Sequence, residues 1–249
     1  MTNGPAYVIL GRGRWARRMH SILATENRRV LAISETRRVS SENCAAYRSR
    51  LAEAMSSSTA QVAWLCVLPG PHVPLMVEAA LDVGLHVVVE KPWQGSVHVT
   101  ESLVARARSL RRLIAVHFEY CLLEEVERWR EDFHPGTGLR FGGRFFLGRP
   151  DHTGMAAMDN LGSHLLAIRA YATPQCALQE IRCGYEQPDE RCVWLERRRA
   201  RAAFIDLLAN KEPIIQRFIA KVEASLEGKD FPLDLDFASR VSENAQDLR

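Results

Sequence analysis

The sequence has 249 residues, of which 47% are hydrophobic and 25% charged, and its formal net charge is +3. Such a chain can bury a core in one large or two small domains. Its small net charge argues against a protein that binds nucleic acid by broad neutralisation of phosphates. No apolar stretch approaches the roughly 20 residues that cross a bilayer. We therefore expect neither a nucleic acid nor a membrane as a partner.

The amino-terminal segment and the cysteines favour a cytoplasmic location. Residues 1–5 contain no basic residue, and the apolar run Tyr7–Leu10 is too short for a secretory signal. The six cysteines are scattered, without a C-x-x-C pair or metal-ligand spacing, and the eight histidines form no H-E-x-x-H motif. We expect reduced thiols, a cytoplasmic protein and no bound metal.

Residues 1–120 alternate between strand-like and helix-like patterns. The alternation predicts a parallel sheet with right-handed crossovers, and strands that are apolar throughout fit a sheet covered on both faces. This part of the chain therefore predicts a Rossmann-type, doubly wound parallel sheet of the α/β class. The predicted strands are Ala6–Leu10, Val30–Ile33, Val62–Leu68, His86–Val89 and Leu113–Val116, and the predicted helices are Trp15–Leu23, Val73–Val83 and Val97–Leu110.

Residues 121–249 have a different pattern, in which several strands follow one another. This order is typical of a smaller α+β domain. Helices are predicted near 118–132, 160–172, 213–226 and from Asp234 onward. Strands are predicted near 139–147, 178–185 and 191–196, and the segment 202–208 fits either a strand or a helix.

A glycine-rich turn follows the first predicted strand. Its sequence, Gly11-Arg12-Gly13-Arg14-Trp15-Ala16, fits G-x-G-x-x-[G/A] and opens a predicted helix. In this pattern the first glycine permits a sharp turn, the second lets the backbone approach a pyrophosphate, and the small third residue lets helix and strand pack closely. The helix N-terminus then offers N–H donors and a positive dipole end to the phosphates. These six residues predict a dinucleotide site.

The end of the second predicted strand bears on the choice between NAD and NADP. Glu35 lies about 20 residues after the glycine-rich turn, where an acidic residue binds the ribose hydroxyls and repels a 2′-phosphate. Arg37 and Arg38 follow at once and could bind that phosphate. The pattern favours NAD, and NADP stays open.

The fourth predicted strand is followed by Glu90-Lys91-Pro92. Ligands of open α/β sheets bind at the carboxyl ends of the strands. A lysine there can donate to a substrate oxygen and exchange a proton with it, and the proline restricts the path of the chain. From spacing alone, a solvent-exposed lysine in a turn is an equal alternative.

Several motifs in the same order resemble the glucose-fructose oxidoreductase, inositol dehydrogenase and rhizopine catabolism (Gfo/Idh/MocA) family. The chain is identified as a member over most of its length, with a shorter C-terminal domain than is usual. The motifs are the glycine-rich turn, Leu68-Pro69-Gly70-Pro71-His72, the segment 84–92 that ends in Glu90-Lys91-Pro92, Asn160-Leu161-Gly162-Ser163-His164, which is similar to a D-x-G-x-H helix start, and the region 218–235.

The resemblance implies a hydride transfer between nicotinamide and a hydroxyl or carbonyl carbon of a sugar, cyclitol or related small molecule. It implies that Lys91 and His164 hold the substrate oxygen and relay its proton, and that Asn160 lies on the same helix face as His164. His117 and Tyr120 are expected to face the substrate. The cofactor is expected to contact the glycine-rich turn, Glu35, Arg37, Leu68, Pro69, His72, Glu90, Lys91 and Pro92.

The same resemblance implies the domain organisation. We expect a dinucleotide-binding domain at 1–120 and a substrate and oligomerisation domain at 121–249. The second domain is expected to contain an open, mostly antiparallel sheet through which the chain forms a homo-oligomer.

Three departures from the family keep other interpretations open. Asn160 stands where the family usually has aspartate, no arginine follows Tyr120, and the C-terminal domain is short. A short domain also fits a reductase of a small non-sugar carbonyl or imine, or a dinucleotide-binding or interaction module that has lost turnover. Retention of both Lys91 and His164 favours the enzyme.

Overall fold

The computed structural model describes residues 4–33, 39–132, 140–141, 162–172, 181–184, 192–195, 202–203, 211–226 and 230–246. The chain divides into two compact units. The first comprises 1–117 and 219–239, and the second comprises 118–218 and 240–249. The sequence pattern predicts one division, between residues 120 and 121, whereas residues 219–239 return to the first unit.

A five-stranded parallel sheet forms the centre of the first unit. Its strand order is β2-β1-β3-β4-β5, and every neighbouring pair is parallel. The sheet confirms the predicted Rossmann-type α/β fold. Its strands are β1 (Ala6–Leu10), β2 (Val30–Ile33), β3 (Ala60–Leu65), β4 (His86–Val89) and β5 (Ile114–Val116).

Four helices connect these strands, and three of them were predicted. The helix that the sequence pattern missed buries Cys44, Tyr47 and Leu51, which form a sparse apolar face among alanines, serines and charged residues. The helices are α1 (Arg14–Thr25), α2 (Cys44–Ser56), α3 (His72–Asp82) and α4 (Val97–Ser109).

The strand order reverses between β1 and β3. From β1 the chain moves outward to β2, and it then returns to β3 on the other side of β1. Ligands of doubly wound sheets bind beyond the carboxyl ends of the strands at such a reversal. The glycine-rich turn follows β1, and Glu90-Lys91-Pro92 follows β4, so both lie at this edge of the sheet.

The C-terminal segment covers the outer edge of β5. The Val116 N–H donates to the Leu233 carbonyl oxygen at 2.9 Å, and Ala115 pairs with Asp234 in an antiparallel bridge. Glu223 accepts hydrogen bonds from Arg28 Nε at 2.6 Å and from the Tyr7 hydroxyl at 2.8 Å. Because an uncovered strand edge exposes unpaired backbone groups, the pairing of residues 233 and 234 with β5 gives a physical reason for the return of residues 219–239, and the Glu223 contacts add a second attachment to the first unit.

Within the second unit, the described strands form one antiparallel and one parallel pair. The expected open, mostly antiparallel sheet stays a prediction. A 3₁₀ helix covers Glu119–Leu122, and the further elements are α5 (Glu124–Asp132), β6 (Arg140–Phe141), α6 (Ser163–Ala172), β7 (Ile181–Gly184), β8 (Cys192–Leu195) and β9 (Ala202–Ala203). Two helices belong to both units, namely α7 (Lys211–Leu226) and α8 (Leu235–Gln246).

Membrane spans were sought in the part of the chain that the structure describes. None of its helices is both long and apolar enough to cross a bilayer.

His86, the first residue of β4, is expected to make folding stability depend on pH. The Leu113 N–H donates to His86 Nδ1 at 3.0 Å, so this nitrogen carries no proton. Burial, and then the nearby Arg112, lower the pKa of His86 from 6.5 to about 4. The unfolded chain therefore takes up this proton at higher pH than the folded protein. The contribution of His86 to the free energy of unfolding is complete above pH 6.5 and is lost as the pH falls toward 4.

Urea unfolding of wild type and His86→Asn between pH 4 and pH 7 tests this expectation. The asparagine Oδ1 can accept the same N–H but does not titrate, so the variant should lack the loss that wild type shows. Two proteins whose free energies of unfolding fall in parallel over this range would contradict the assignment.

Candidate functional site

The turn after β1 needs a glycine at position 11. Gly11 has a φ of +152°, and a Cβ atom there would lie 2.3 Å from the carbonyl oxygen of Cys66. The neighbouring Cys66 N–H donates to the Leu10 carbonyl oxygen at 2.9 Å, which holds the exit of β3 against the turn. The backbones of the two loops are therefore in contact, and a side chain at position 11 has no room.

Gly13 serves a different purpose at the start of α1. Its φ of −69° suits any residue, and a Cβ atom there would meet no atom within 4 Å. The helix start has no side-chain cap and no acidic residue in its first turn, and the flanking Arg12 and Arg14 are exposed. Ala16 is buried, as close packing of helix and strand requires. An open, positively charged helix start fits a pyrophosphate group.

The loop after β3 leaves an apolar side chain exposed at the same edge of the sheet. Leu68 is 56% exposed, whereas Pro69 and His72 are half-buried. All three residues are predicted from the sequence to contact the cofactor. Their position after β3 places them on the opposite side of the strand-order reversal from the glycine-rich turn.

Glu90 is the centre of a partly buried hydrogen-bonded group. Its Oε1 atom accepts from Trp15 Nε1 at 2.6 Å and from Trp64 Nε1 at 2.9 Å, and it lies 3.2 Å from His117 Nδ1. The His117 ring stacks on Trp15, with centroids 5.8 Å apart, and meets Trp64 edge-on at 5.1 Å. We call these four residues the Glu90 cluster. It joins α1, β3 and the ends of β4 and β5.

The carboxyl group of Glu90 is ionised in spite of its surroundings. Burial by itself raises the pKa of Glu90. The charge of His117 and hydrogen bonds from His117, Trp15 and Trp64 outweigh burial and hold the pKa below its usual value of 4.5. Because an ionised carboxylate only accepts hydrogen bonds, His117 Nδ1 is the donor in this pair.

The structure brings together two residues to which the sequence analysis assigns different partners. Glu90 is predicted to contact the cofactor and His117 the substrate, and here they contact each other. Strand register could have revealed this pairing, because Val89 of β4 pairs with Val116 of β5, and Glu90 and His117 are the next residues. The participation of Trp64 was missed, since no local pattern links it to Glu90.

Lys91 follows Glu90 directly and is half-buried, and its peptide bond to Pro92 is cis. The position of Lys91 is thus tied by one peptide unit to a residue that is anchored in the interior. Lys91 is therefore half-buried at the carboxyl end of β4, and its role at the ligand-binding edge of the sheet stays a prediction.

In the second unit, two predicted substrate residues are in ring contact. His164 is the second residue of α6, and its ring meets Tyr120 edge-on with centroids 4.8 Å apart. Phe118, which the sequence analysis did not single out, meets the same ring at 6.4 Å. All three side chains are buried.

Three predicted site residues lie outside the described residues. They are Glu35 and Arg37, which bear on the choice of cofactor, and Asn160.

Comparison with known proteins supports the assignment of a dinucleotide-binding fold to the first unit. Residues 6–118 match the model of an oxidoreductase family with an NAD-binding Rossmann fold. The uncharacterized oxidoreductase YdgJ of Escherichia coli is 31% identical over an alignment that covers 30% of this chain and 31% of that protein. The match thus spans about a third of the relative's length.

Solved structures extend the likeness in fold. UDP-N-acetylglucosamine 3-dehydrogenase GnnA from Acidithiobacillus ferrooxidans superposes with a TM-score of 0.71 at 13% identity, covering 98% of this chain and 96% of that one. Scyllo-inositol dehydrogenase from Lactobacillus casei, crystallised with NAD(H) and scyllo-inositol, gives a TM-score of 0.65 at 12% identity, covering 99% and 96%.

The family match covers the sheet, the glycine-rich turn and the Glu90-Lys91-Pro92 segment, and it stops just after His117. Residues 6–118 of this chain therefore match the Gfo/Idh/MocA oxidoreductase family, which is described by its NAD-binding Rossmann fold.

Proposed function

We propose that this protein is a nicotinamide-dependent oxidoreductase. It would transfer a hydride between the cofactor and a hydroxyl or carbonyl carbon of a sugar, a cyclitol or a related small molecule. The proposal rests on one observation, namely that two candidate ligand-binding segments lie at the same edge of the sheet. An open, uncapped helix start follows β1, and an anchored Glu90-Lys91 segment follows β4. The inositol dehydrogenase that shares the fold was crystallised with NAD(H) and a cyclitol, which supports this substrate class.

The choice of lysine at position 91 supports a proton-transfer role. Among 33 lysines and arginines only four are lysines, and Lys91 is the only one before residue 211. The chain therefore uses arginine for nearly all its positive charge. Arginine keeps its proton at any physiological pH, whereas a lysine can release one when its surroundings favour the neutral form. A lysine in this position suits a group that exchanges a proton with substrate.

The proposed roles follow the needs of alcohol oxidation. A nicotinamide dinucleotide held at the glycine-rich turn would supply the acceptor for the hydride of the carbinol carbon. Lys91 and His164 hold the substrate oxygen and relay its proton, so that a carbonyl group forms; reduction runs the same transfers in reverse. Asn160 is proposed to orient the same oxygen.

Fluorescence titration with NADH and NADPH, followed by a screen of polyols, sugars, small ketones and imines, tests this proposal. We expect tight binding of one dinucleotide and turnover of a polyol or sugar. Turnover confined to a small ketone or imine would replace the proposed substrate class. Binding without turnover of any compound would favour the non-catalytic module, and absence of binding would overturn both functions.

The same proposal includes a homo-oligomer formed through the second domain and a cytoplasmic location. Sedimentation velocity at several protein concentrations tests the first. A monomer at all of them would overturn it.

Glu35 is proposed to select NAD. A hydrogen bond to a charged group contributes about 1.5–3 kcal/mol, so Glu35→Ala should weaken NADH binding by roughly ten- to a hundredfold. NADPH binding should not weaken, because the variant lacks the charge that repels its 2′-phosphate. Glu53→Ala, an exposed charge removal on α2, is the matched control and should leave both affinities unchanged. An unchanged affinity ratio in Glu35→Ala would exclude Glu35 from the cofactor site.

A further inference from the structure

The Glu90 cluster connects the dinucleotide turn to the segment that carries Lys91. Trp15 is the second residue of α1 and lies two positions after Gly13, at the open helix start. Its indole N–H donates to Glu90 Oε1 at 2.6 Å, and Glu90 is joined to Lys91 by one peptide unit. The path from the turn to Lys91 therefore contains a single hydrogen bond.

This hydrogen bond is costly to break. The carboxylate is largely buried and charged, with 13% of the side chain exposed, and its Oε1 atom is shared by Trp15, Trp64 and His117. A buried ionised group that loses a donor pays a larger penalty than a neutral group does. Stacking of Trp15 on His117 adds a second contact between α1 and the cluster. If Trp15 moves, we therefore expect Glu90 to move with it, because breaking the hydrogen bond between them costs more.

We propose that the Glu90 cluster positions Lys91 in response to dinucleotide binding. A dinucleotide that orders the helix start fixes Trp15, and Trp15 fixes the carboxylate that precedes Lys91. In this assignment Trp15, Glu90 and His117 are positioning residues that act through Lys91. The inference rests on the proposed function only in requiring a dinucleotide at the turn.

The cluster contains a matched control for this test. Trp64 donates the same kind of hydrogen bond to the same oxygen, at 2.9 Å. It lies within β3, paired with Ile9 and Val88, and not in the glycine-rich turn. Trp64→Phe and Trp15→Phe each remove one indole donor from Glu90 Oε1. Only Trp15→Phe removes the link to the turn.

The small number of lysines makes Lys91 observable in the full-length protein. Reductive methylation with ¹³C-formaldehyde labels Lys91, Lys211, Lys221, Lys229 and the amino terminus. The NMR signal of Lys91 is then identified by its absence in Lys91→Arg. ADP is the probe, because it supplies two phosphates to the turn but has no nicotinamide ring to contact Lys91. A response of the Lys91 signal to ADP that disappears when the Trp15 hydrogen bond is removed is then transmitted through the protein and not directly by the phosphates.

We expect saturating ADP to shift the Lys91 signal in wild type and in Trp64→Phe. The shift should be absent in Trp15→Phe, although isothermal titration calorimetry still detects ADP binding. Glu90→Gln, which keeps the shape of the side chain and removes its charge, is a second variant and should show a reduced shift. It keeps the test decisive if Trp15→Phe does not fold.

The inference is overturned if the two tryptophan variants behave alike, if Glu90→Gln responds as wild type does, or if wild type binds no ADP or binds it without a shift. These outcomes are separate from those of the proposed function. A wild-type protein that shows the shift but turns over no substrate keeps the coupling and loses the oxidoreductase assignment. A protein that turns over substrate but shows no shift loses the coupling and keeps the oxidoreductase assignment.

Discussion

Replacement of Lys91 by arginine is expected to lower turnover by about 10²–10⁴-fold, which is the usual contribution of acid–base catalysis. The substitution keeps a positive charge and a long side chain at the end of β4. It removes the ability to release a proton, because guanidinium groups do not deprotonate in proteins. Binding of NADH, measured by fluorescence, should persist, since the helix start of α1 is unchanged. The measurement is kcat with the substrate that the screen identifies.

Lys221→Arg is the matched control for this variant. Lys221 is exposed on α7, so the same exchange there should leave kcat unchanged. His164→Ala should show a loss in the same range as Lys91→Arg, because the two residues are assigned to the same proton transfer. Wild-type turnover in Lys91→Arg would remove Lys91 from the reaction.

Gly11→Ala and Gly13→Ala are expected to separate folding from cofactor binding. At position 11 a methyl group would meet the Cys66 carbonyl oxygen at 2.3 Å, and the φ of +152° disfavours any side chain. Backbone strain and overpacking each cost about 1–3 kcal/mol. Gly11→Ala should therefore lower the free energy of unfolding by several kcal/mol and also abolish NADH binding.

At position 13 the added methyl group meets no protein atom within 4 Å, and the φ of −69° suits alanine. The free energy of unfolding in urea should stay near the wild-type value. NADH affinity should nevertheless fall, because the methyl group occupies the space through which a pyrophosphate approaches the backbone. Equal destabilisation by the two variants, or wild-type NADH affinity in Gly13→Ala, would contradict this division of roles.

The predicted elements that the structure confirms depend on local information. Burial can be predicted from a few consecutive residues in these elements. It is indicated by the apolar runs of β1 and β4 and by the spacing of Met19 and Leu23 on α1. The helix α2 was missed because burial of Cys44 and Tyr47 leaves only a weak apolar period. The strand β3 ends at Leu65 and not at Leu68, because the chain beyond Leu65 bends past Gly11 and leaves Leu68 exposed.

The sequence by itself determined the parallel α/β architecture of the first unit, the glycine-rich turn and the place of Lys91 after β4, because periodicity and glycine spacing act over short distances. Only the tertiary structure decided that residues 219–239 cover the edge of β5. It likewise decided that one largely buried carboxylate joins Trp15, Trp64 and His117. These contacts connect residues far apart in the chain, and their partners are selected by strand order and burial of charge, which no local pattern encodes.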